Sequence, residues 1–142
     1  MSIFAKHLIR SVAIGMASFH IYTAYFGTFY PYTQRSLPLM LALIITFLSK
    51  RARKDAPEDA PIPIYDWALA ALTIPAIGYI TFNSDYLANR WPMTNTFAVT
   101  DLEILFGVIT TLLIFEATRR VLGWLLVIVA VVALLYTYFG EY

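Results

Sequence analysis

Long runs of hydrophobic residues, separated by short polar segments, fill almost the whole chain. Such runs are typical of helices that cross a bilayer, because a span needs about 20 mostly apolar residues. We predict one transmembrane helix for each of five runs. The predicted spans cover residues 11–30, 32–49, 64–82, 101–118 and 121–139. The pattern therefore predicts an all-α integral membrane protein with a single membrane domain, residues 1–142.

The first run is predicted to be an uncleaved span. A signal peptide has an apolar core of about 7 to 15 residues before a small-residue cleavage site, whereas this run is longer and ends in aromatic residues. The last two runs are predicted to be separate helices, because one helix over 101–139 would be close to twice the roughly 30 Å hydrocarbon thickness. We place a tight turn between them at Arg119 and Arg120.

The basic residues predict the orientation, because short loops rich in Lys and Arg stay in the cytoplasm. If the N-terminus lies in the cytoplasm, eight of the 10 Lys and Arg residues are cytoplasmic, and Arg35 and Arg90 lie on the outer side. The loop 50–63 is then cytoplasmic, and the loop 83–100 is periplasmic.

Composition excludes several classes of function. With 60% hydrophobic and 13% charged residues, the spans leave no room for a soluble catalytic domain. The net charge of +1 gives no field that would recruit nucleic acid. The sequence has no Cys, and it lacks hydrolase, zinc-protease and phosphate-loop motifs. We therefore predict that the chain is not an enzyme, and that it carries no catalytic, metal or cofactor site.

His20 is the one ionisable side chain near the middle of a predicted span. Such groups are functional candidates because they are costly to bury in a bilayer. Two interpretations stay open: a proton relay or ligand, and the favoured one, a neutral imidazole hydrogen-bonded across a helix interface. A haem would need a partner's ligand, since His7 lies near the interface and no later span contains histidine.

Two further groups combine charged and aromatic residues. Asp66 is predicted to cap the third helix, with Trp67 as an aromatic anchor at the interface. Glu116 precedes Arg119 and Arg120 by three and four residues, the spacing of ion pairs on a helix. These pairs either neutralise the helix end, which we favour, or dock onto another subunit.

Four segments, spread over nearly the whole chain, carry a resemblance to a known family. They are FHIYTAYFG (Phe19–Gly27), PIYDW (Pro63–Trp67), IFEATRRVLGW (Ile114–Trp124) and LLYTYFG (Leu134–Gly140). The stretch EATRRVLGW, which ends at Trp124, is the most specific. In this order the segments resemble the small, N-terminal portion of TRAP (tripartite ATP-independent periplasmic) transporter permeases of the TAXI type.

The resemblance implies an importer of small organic solutes, often carboxylates, in the inner membrane of a prokaryote. A periplasmic TAXI-type binding protein captures the solute, and a large elevator-type permease carries the substrate and ion sites and uses a sodium or proton gradient. This chain matches the small portion, so the implied role is a scaffold among lipids, without a transport site. Relatives commonly continue into the large permease, and the segment after Arg120 would then belong with it, leaving four helices instead of five.

The periplasmic loop is the segment expected to touch a partner. Arg90 and Trp91 are predicted to help dock the binding protein or the large subunit. A second hypothesis is a membrane anchor of a respiratory or other redox complex, with His20 near a cofactor. A third is a stand-alone small transporter or lipid-handling protein, which ranks last because the spans lack polar residues for a substrate.

Overall fold

The described residues of the polypeptide fold into α-helices. A computed structural model describes residues 3–50, 62–89 and 99–140. The helices are α1 (Ile3–Phe26), α2 (Pro31–Ser49), α3 (Ile64–Phe82), α4 (Ser84–Asn89), α5 (Asp101–Val121) and α6 (Trp124–Phe139). Within these residues there is no β-strand, which confirms the all-α class.

The helix bounds differ from the predicted spans at several points, of which three matter most. Helix α1 begins eight residues before the predicted start and ends before Gly27, whose φ of +101° is incompatible with a helix. The predicted loop 83–100 contains the short helix α4. Helix α5 continues through Arg119 and Arg120, so the tight turn predicted there was wrong. The chain turns instead at Gly123, which has a φ of +91°.

Local sequence explains where two of the long helices begin. Helix α2 starts at Pro31, where the missing N–H and fixed φ of proline suit the first helical position. Helix α5 starts with a capping box: the Thr100 side chain accepts from the Glu103 backbone N–H, and the Glu103 carboxylate accepts from the Thr100 N–H at 2.8 Å. The proline and the capping box both lie next to the apolar runs, so they determine where α2 and α5 begin.

The centre of the bundle is the pair α2 and α3, which contact each other along most of their length. Helix α1 packs on α2, α5 packs on both α2 and α3, and α6 contacts α5 alone among the described helices. The shared core consists of Leu43, Phe47, Leu48, Ala70, Ala76, Ile77, Leu113 and Ala117. Three of these eight side chains are alanines, and small side chains allow helices to approach closely.

The described helices differ in how well they suit a bilayer. Helix α3, with 19 residues, is the one helix of the described chain that is long and apolar enough to cross a membrane by length and composition. Helix α6 is apolar but has 16 residues, or about 24 Å, against roughly 30 Å of hydrocarbon. Helix α5 has 21 residues, and its charged side chains lie in its first turn and its last two turns.

Candidate functional site

Several helix ends meet at one end of the bundle, and Arg120 of α5 joins them. Its Nη1 donates to Asp66 Oδ1 at the start of α3, at 2.7 Å, and to the carbonyl of Lys50 after α2, at 3.0 Å. Helix α1 begins at the same end, where the Phe4 ring stacks on the Trp67 ring with centroids 6.2 Å apart. We call this whole end of the bundle, where Phe4, Lys50, Asp66, Trp67 and Arg120 meet, the ion-pair end.

The Asp66–Arg120 pair is buried. The Arg120 side chain is 1% exposed and the Asp66 side chain 0% exposed. The guanidinium carbon of Arg120 lies 5.1 Å from the centroid of the Phe47 ring and 6.0 Å from that of Tyr65. Flat, weakly hydrated guanidinium groups favour contacts of this kind with aromatic rings. The pair is therefore enclosed by protein and is not accessible to a solute from outside.

Glu116 connects the buried pair to the protein surface. Its Oε1 accepts from Arg120 Nε at 2.8 Å, and its two oxygens accept from Nε and Nη2 of Arg119, both at 2.7 Å. Arg119 lies over the Trp124 ring of α6 at 5.5 Å. The ion pairs predicted at spacings of three and four residues are thus confirmed. They form part of a continuous contact from α6 through α5 to α3.

The two positive and two negative charges of the network cancel, but not all of its polar atoms have a hydrogen-bond partner among the described residues. Arg120 uses three of its five N–H groups, and its buried Nη2 has no partner among the described residues. Asp66 Oδ2 is also buried without a described partner. Each unsatisfied buried polar group costs about 1–3 kcal/mol, and more when it is charged. The network therefore depends on having both charges of the pair in place.

The predicted helix-capping role of Asp66 is wrong. The residue before the first turn of α3 is Pro63, and no side chain caps this helix end. Asp66 lies within the first turn, and its carboxylate turns to Arg120, 54 residues away in sequence. A charged donor forms a stronger hydrogen bond than a backbone N–H. Asp66 still places a negative charge near the N-terminus of α3, where the helix dipole favours it.

The remaining predicted residues lie away from the ion-pair end or outside the described part. His20 is exposed on α1, and its ring contacts the Phe19 ring edge-on at 5.8 Å. Among the described residues it makes no hydrogen bond to another helix through its ring. The described residues also contain no group of three His, Asp or Glu side chains suited to a metal ion. Arg90 and Trp91 lie outside the described residues.

A second polar cluster, which the sequence analysis missed, joins α2, α3 and α4 at the opposite end. Thr33 donates to the Ser84 hydroxyl at 2.7 Å, and the Ser36 and Thr81 hydroxyls lie 2.7 Å apart. Thr81 also lies 3.0 Å from the Ile77 carbonyl, within donating distance. The sequence feature that could have indicated this cluster is the spacing of Thr33 and Ser36, which lie three residues apart and so share one face of α2. Polar contacts therefore join α2 and α3 at both of their ends.

The charged side chains of the described residues lie at the two ends of the bundle, and its middle has none. The ion-pair end has five basic and two acidic side chains: Lys6, Arg10, Lys50, Arg119, Arg120, Asp66 and Glu116. The opposite end has one basic and three acidic side chains: Arg35, Asp85, Asp101 and Glu103. The bundle is therefore polarised, with its basic end where α1 begins.

Comparison with protein-family models, with curated proteins and with solved structures finds no match for this chain. Its own contacts, however, bring together two of the segments that carry the resemblance described above. PIYDW supplies Asp66, and EATRRVLGW supplies Glu116, Arg119, Arg120 and Trp124. Both segments thus contribute residues to the ion-pair network.

Proposed function

We propose that this chain is the small scaffold subunit of a TRAP-type secondary-active importer of small organic solutes such as carboxylates. It would hold a large elevator-type permease in the inner membrane of a prokaryote, next to a periplasmic TAXI-type binding protein. The sodium or proton gradient would be used by the permease. The chain itself would contain no transport site.

The distribution of charge supports a membrane bundle with the N-terminus in the cytoplasm. A middle zone free of charged side chains suits the hydrocarbon core, where ionisable groups are costly. Basic side chains prevail at the ion-pair end, and the positive-inside rule assigns such an end to the cytoplasm. The shorter length of α6 is compatible with this placement, because a short helix is accommodated by local thinning of the bilayer or by flanking side chains.

The ion-pair network is the observation that carries the scaffold role. Transport sites need polar side chains or broken helices near the bilayer midplane. The strongest polar contacts in the described residues instead lie at the ion-pair end, where they join α2, α3, α5 and α6. The buried charges of Asp66 and Arg120 are used in contacts between helices. Among the described residues, the middle of the bundle has no charged side chain that could bind a solute.

Helix α6 supports membership of a larger membrane complex. Val127 is the one buried residue of this helix, and the described chain covers α6 from the α5 side alone. Within the described chain its other faces are mostly apolar and exposed, as expected of a peripheral helix that meets lipid or a second subunit. Arg119 and Trp124 hold its start against α5.

The test is a pull-down of the tagged full-length chain from its native membrane in mild detergent. Mass spectrometry of the eluate is expected to identify a larger permease with many spans, with or without a soluble periplasmic protein. An absorbance spectrum of the same eluate tests the redox-anchor alternative. A haem band that is lost in His20→Ala, together with redox subunits, would overturn the proposal. Solute uptake by this chain alone in liposomes would also overturn it.

Docking through the periplasmic loop is a separate part of the proposal. The double variant Arg90→Ala/Trp91→Ala is expected to reduce recovery of the large subunit or of the binding protein, and to reduce solute uptake. Arg35→Ala is a suitable control, because it removes a basic side chain from the same predicted side of the membrane. Unchanged assembly and uptake in the double variant would exclude a docking role for these two residues.

A further inference from the structure

Two basic side chains on α1 have no counter-charge in the described structure. Lys6 and Arg10 are exposed, and they share one face of the helix because they are four residues apart. Neither forms an ion pair within the described residues, where the ion pairs are those of Glu116 and Asp66. Like charges at this spacing repel each other. A bound anion would remove that repulsion.

Lys50 adds a third basic side chain at the same end. It follows the last turn of α2, and its carbonyl accepts from Arg120 while its side chain is exposed. The two acidic side chains that the described residues place at this end are already engaged: Asp66 by Arg120, and Glu116 by both arginines. The described part of the ion-pair end therefore offers no carboxylate that could neutralise Lys6, Arg10 or Lys50.

The position of these side chains indicates where the anion comes from. The stacked rings of Phe4 and Trp67 lie at the same end. Aromatic side chains, Trp above all, gather at the level of lipid headgroups. Long basic side chains next to them extend into the layer of headgroup phosphates. In this placement, the headgroup phosphates lie at the level that these basic side chains reach.

We propose that Lys6, Arg10 and Lys50 bind the headgroup phosphate of an anionic phospholipid in the leaflet at the ion-pair end. This inference rests on the membrane placement in the proposed function, and it is independent of which protein the chain assembles with. A basic side chain near an anionic surface contributes about fivefold to affinity. Three that act independently would contribute on the order of 100-fold.

The experiment uses the full-length chain in neutral maltoside micelles, titrated with phosphatidylglycerol and read by native mass spectrometry. The triple variant Lys6→Gln/Arg10→Gln/Lys50→Gln is expected to bind this lipid at least tenfold more weakly than the wild type. Arg35→Gln is the matched control, since Arg35 is exposed at the opposite end. It is expected to change the affinity less than twofold.

Three results would overturn the inference. The first is an unchanged lipid affinity in the triple variant. The second is a loss of affinity in Arg35→Gln that equals the loss per removed charge in the triple variant. The third is displacement of the lipid by millimolar inorganic phosphate. The last would indicate a site for a dissolved anion. The variant Lys6→Arg/Arg10→Lys/Lys50→Arg keeps the charges and is expected to keep the affinity; a tenfold loss there would also contradict the proposal.

Flotation with phosphatidylcholine vesicles separates this inference from the proposed function. Wild type and triple variant are both expected to float with these neutral vesicles. A wild type that fails to float overturns the membrane placement, and both proposals with it. A floating triple variant with reduced lipid affinity supports the lipid site, whichever partner a pull-down identifies.

Discussion

Removing Arg120 is expected to destabilise the fold strongly. In Arg120→Met, the Asp66 carboxylate, 0% exposed, loses the one counter-charge that contacts it among the described residues. Breaking a buried ion pair by removing one partner costs about 3–5 kcal/mol, because the remaining charge stays buried without compensation. The loss is a large part of the roughly 5–15 kcal/mol that stabilises a typical fold.

Arg119→Met is the matched control. Arg119 is the neighbouring residue on the same helix, and it contacts the Glu116 carboxylate at 2.7 Å, close to the 2.8 Å between Arg120 and that carboxylate. The two side chains of that pair are 25% and 28% exposed, and ion pairs in contact with solvent contribute about 0–1 kcal/mol. The two variants are therefore expected to differ by at least about 2 kcal/mol.

A double variant tests the reason for the loss. Asp66→Leu/Arg120→Met removes both charges, and such replacements by apolar residues are often neutral or stabilising. The double variant is expected to be more stable than Arg120→Met alone. Unfolding by dodecyl sulfate in mixed micelles, followed by far-UV circular dichroism, gives the free energies. Equal stabilities of Arg119→Met and Arg120→Met, or a double variant no more stable than Arg120→Met, would refute the reasoning.

Two smaller effects follow from local geometry, and the same unfolding assay measures them. Gly123→Ala should lower the free energy of unfolding by about 1–3 kcal/mol, because φ +91° and ψ −176° lie in a region that glycine alone adopts readily. Gly15→Ala, inside α1 with open space around it, should raise the free energy of unfolding by up to about 1 kcal/mol. The reverse order of the two stabilities would contradict this. Ser36→Ala should lower the free energy of unfolding by about 0.6 kcal/mol, since the Thr81 hydroxyl keeps its contact with the Ile77 carbonyl. A loss above about 2 kcal/mol would contradict this and would show that the hydroxyl cluster acts as a unit.

The helices were the part of the structure that the sequence predicted best. The predicted third span and α3 have the same bounds, 64 and 82, because polar segments with strong turn signals flank the apolar run. The boundary between α5 and α6 was placed too early, because the charged pair Arg119 and Arg120 was taken as a break. Arginine is a good helix former, and a polar residue does not by itself end a helix. The stronger stop signal was Gly123.

The contacts of the site were less accessible from sequence. The pairs of Glu116 were predictable, since they depend on spacing within one helix. The Asp66–Arg120 pair joins residues 54 apart, and no local pattern indicates which helix ends will meet. The Lys50 carbonyl has no sequence signal at all, because every residue has a backbone carbonyl. Asp66 was therefore assigned to its nearest plausible partner, the start of its own helix.

The placement of polar groups also bears on how such a bundle selects one arrangement. In the proposed membrane placement, burying an apolar side chain against another helix gains little over contact with lipid, so polar contacts and close packing decide which faces meet. Turning α3 by one residue would rotate its face by about 100° and withdraw Asp66 from Arg120, leaving the buried Asp66 carboxylate without its counter-charge among the described residues. At the other end, the same rotation would separate Thr81 from Ser36. The polar groups that specify the packing are thus engaged in contacts between helices, which agrees with the scaffold role proposed above.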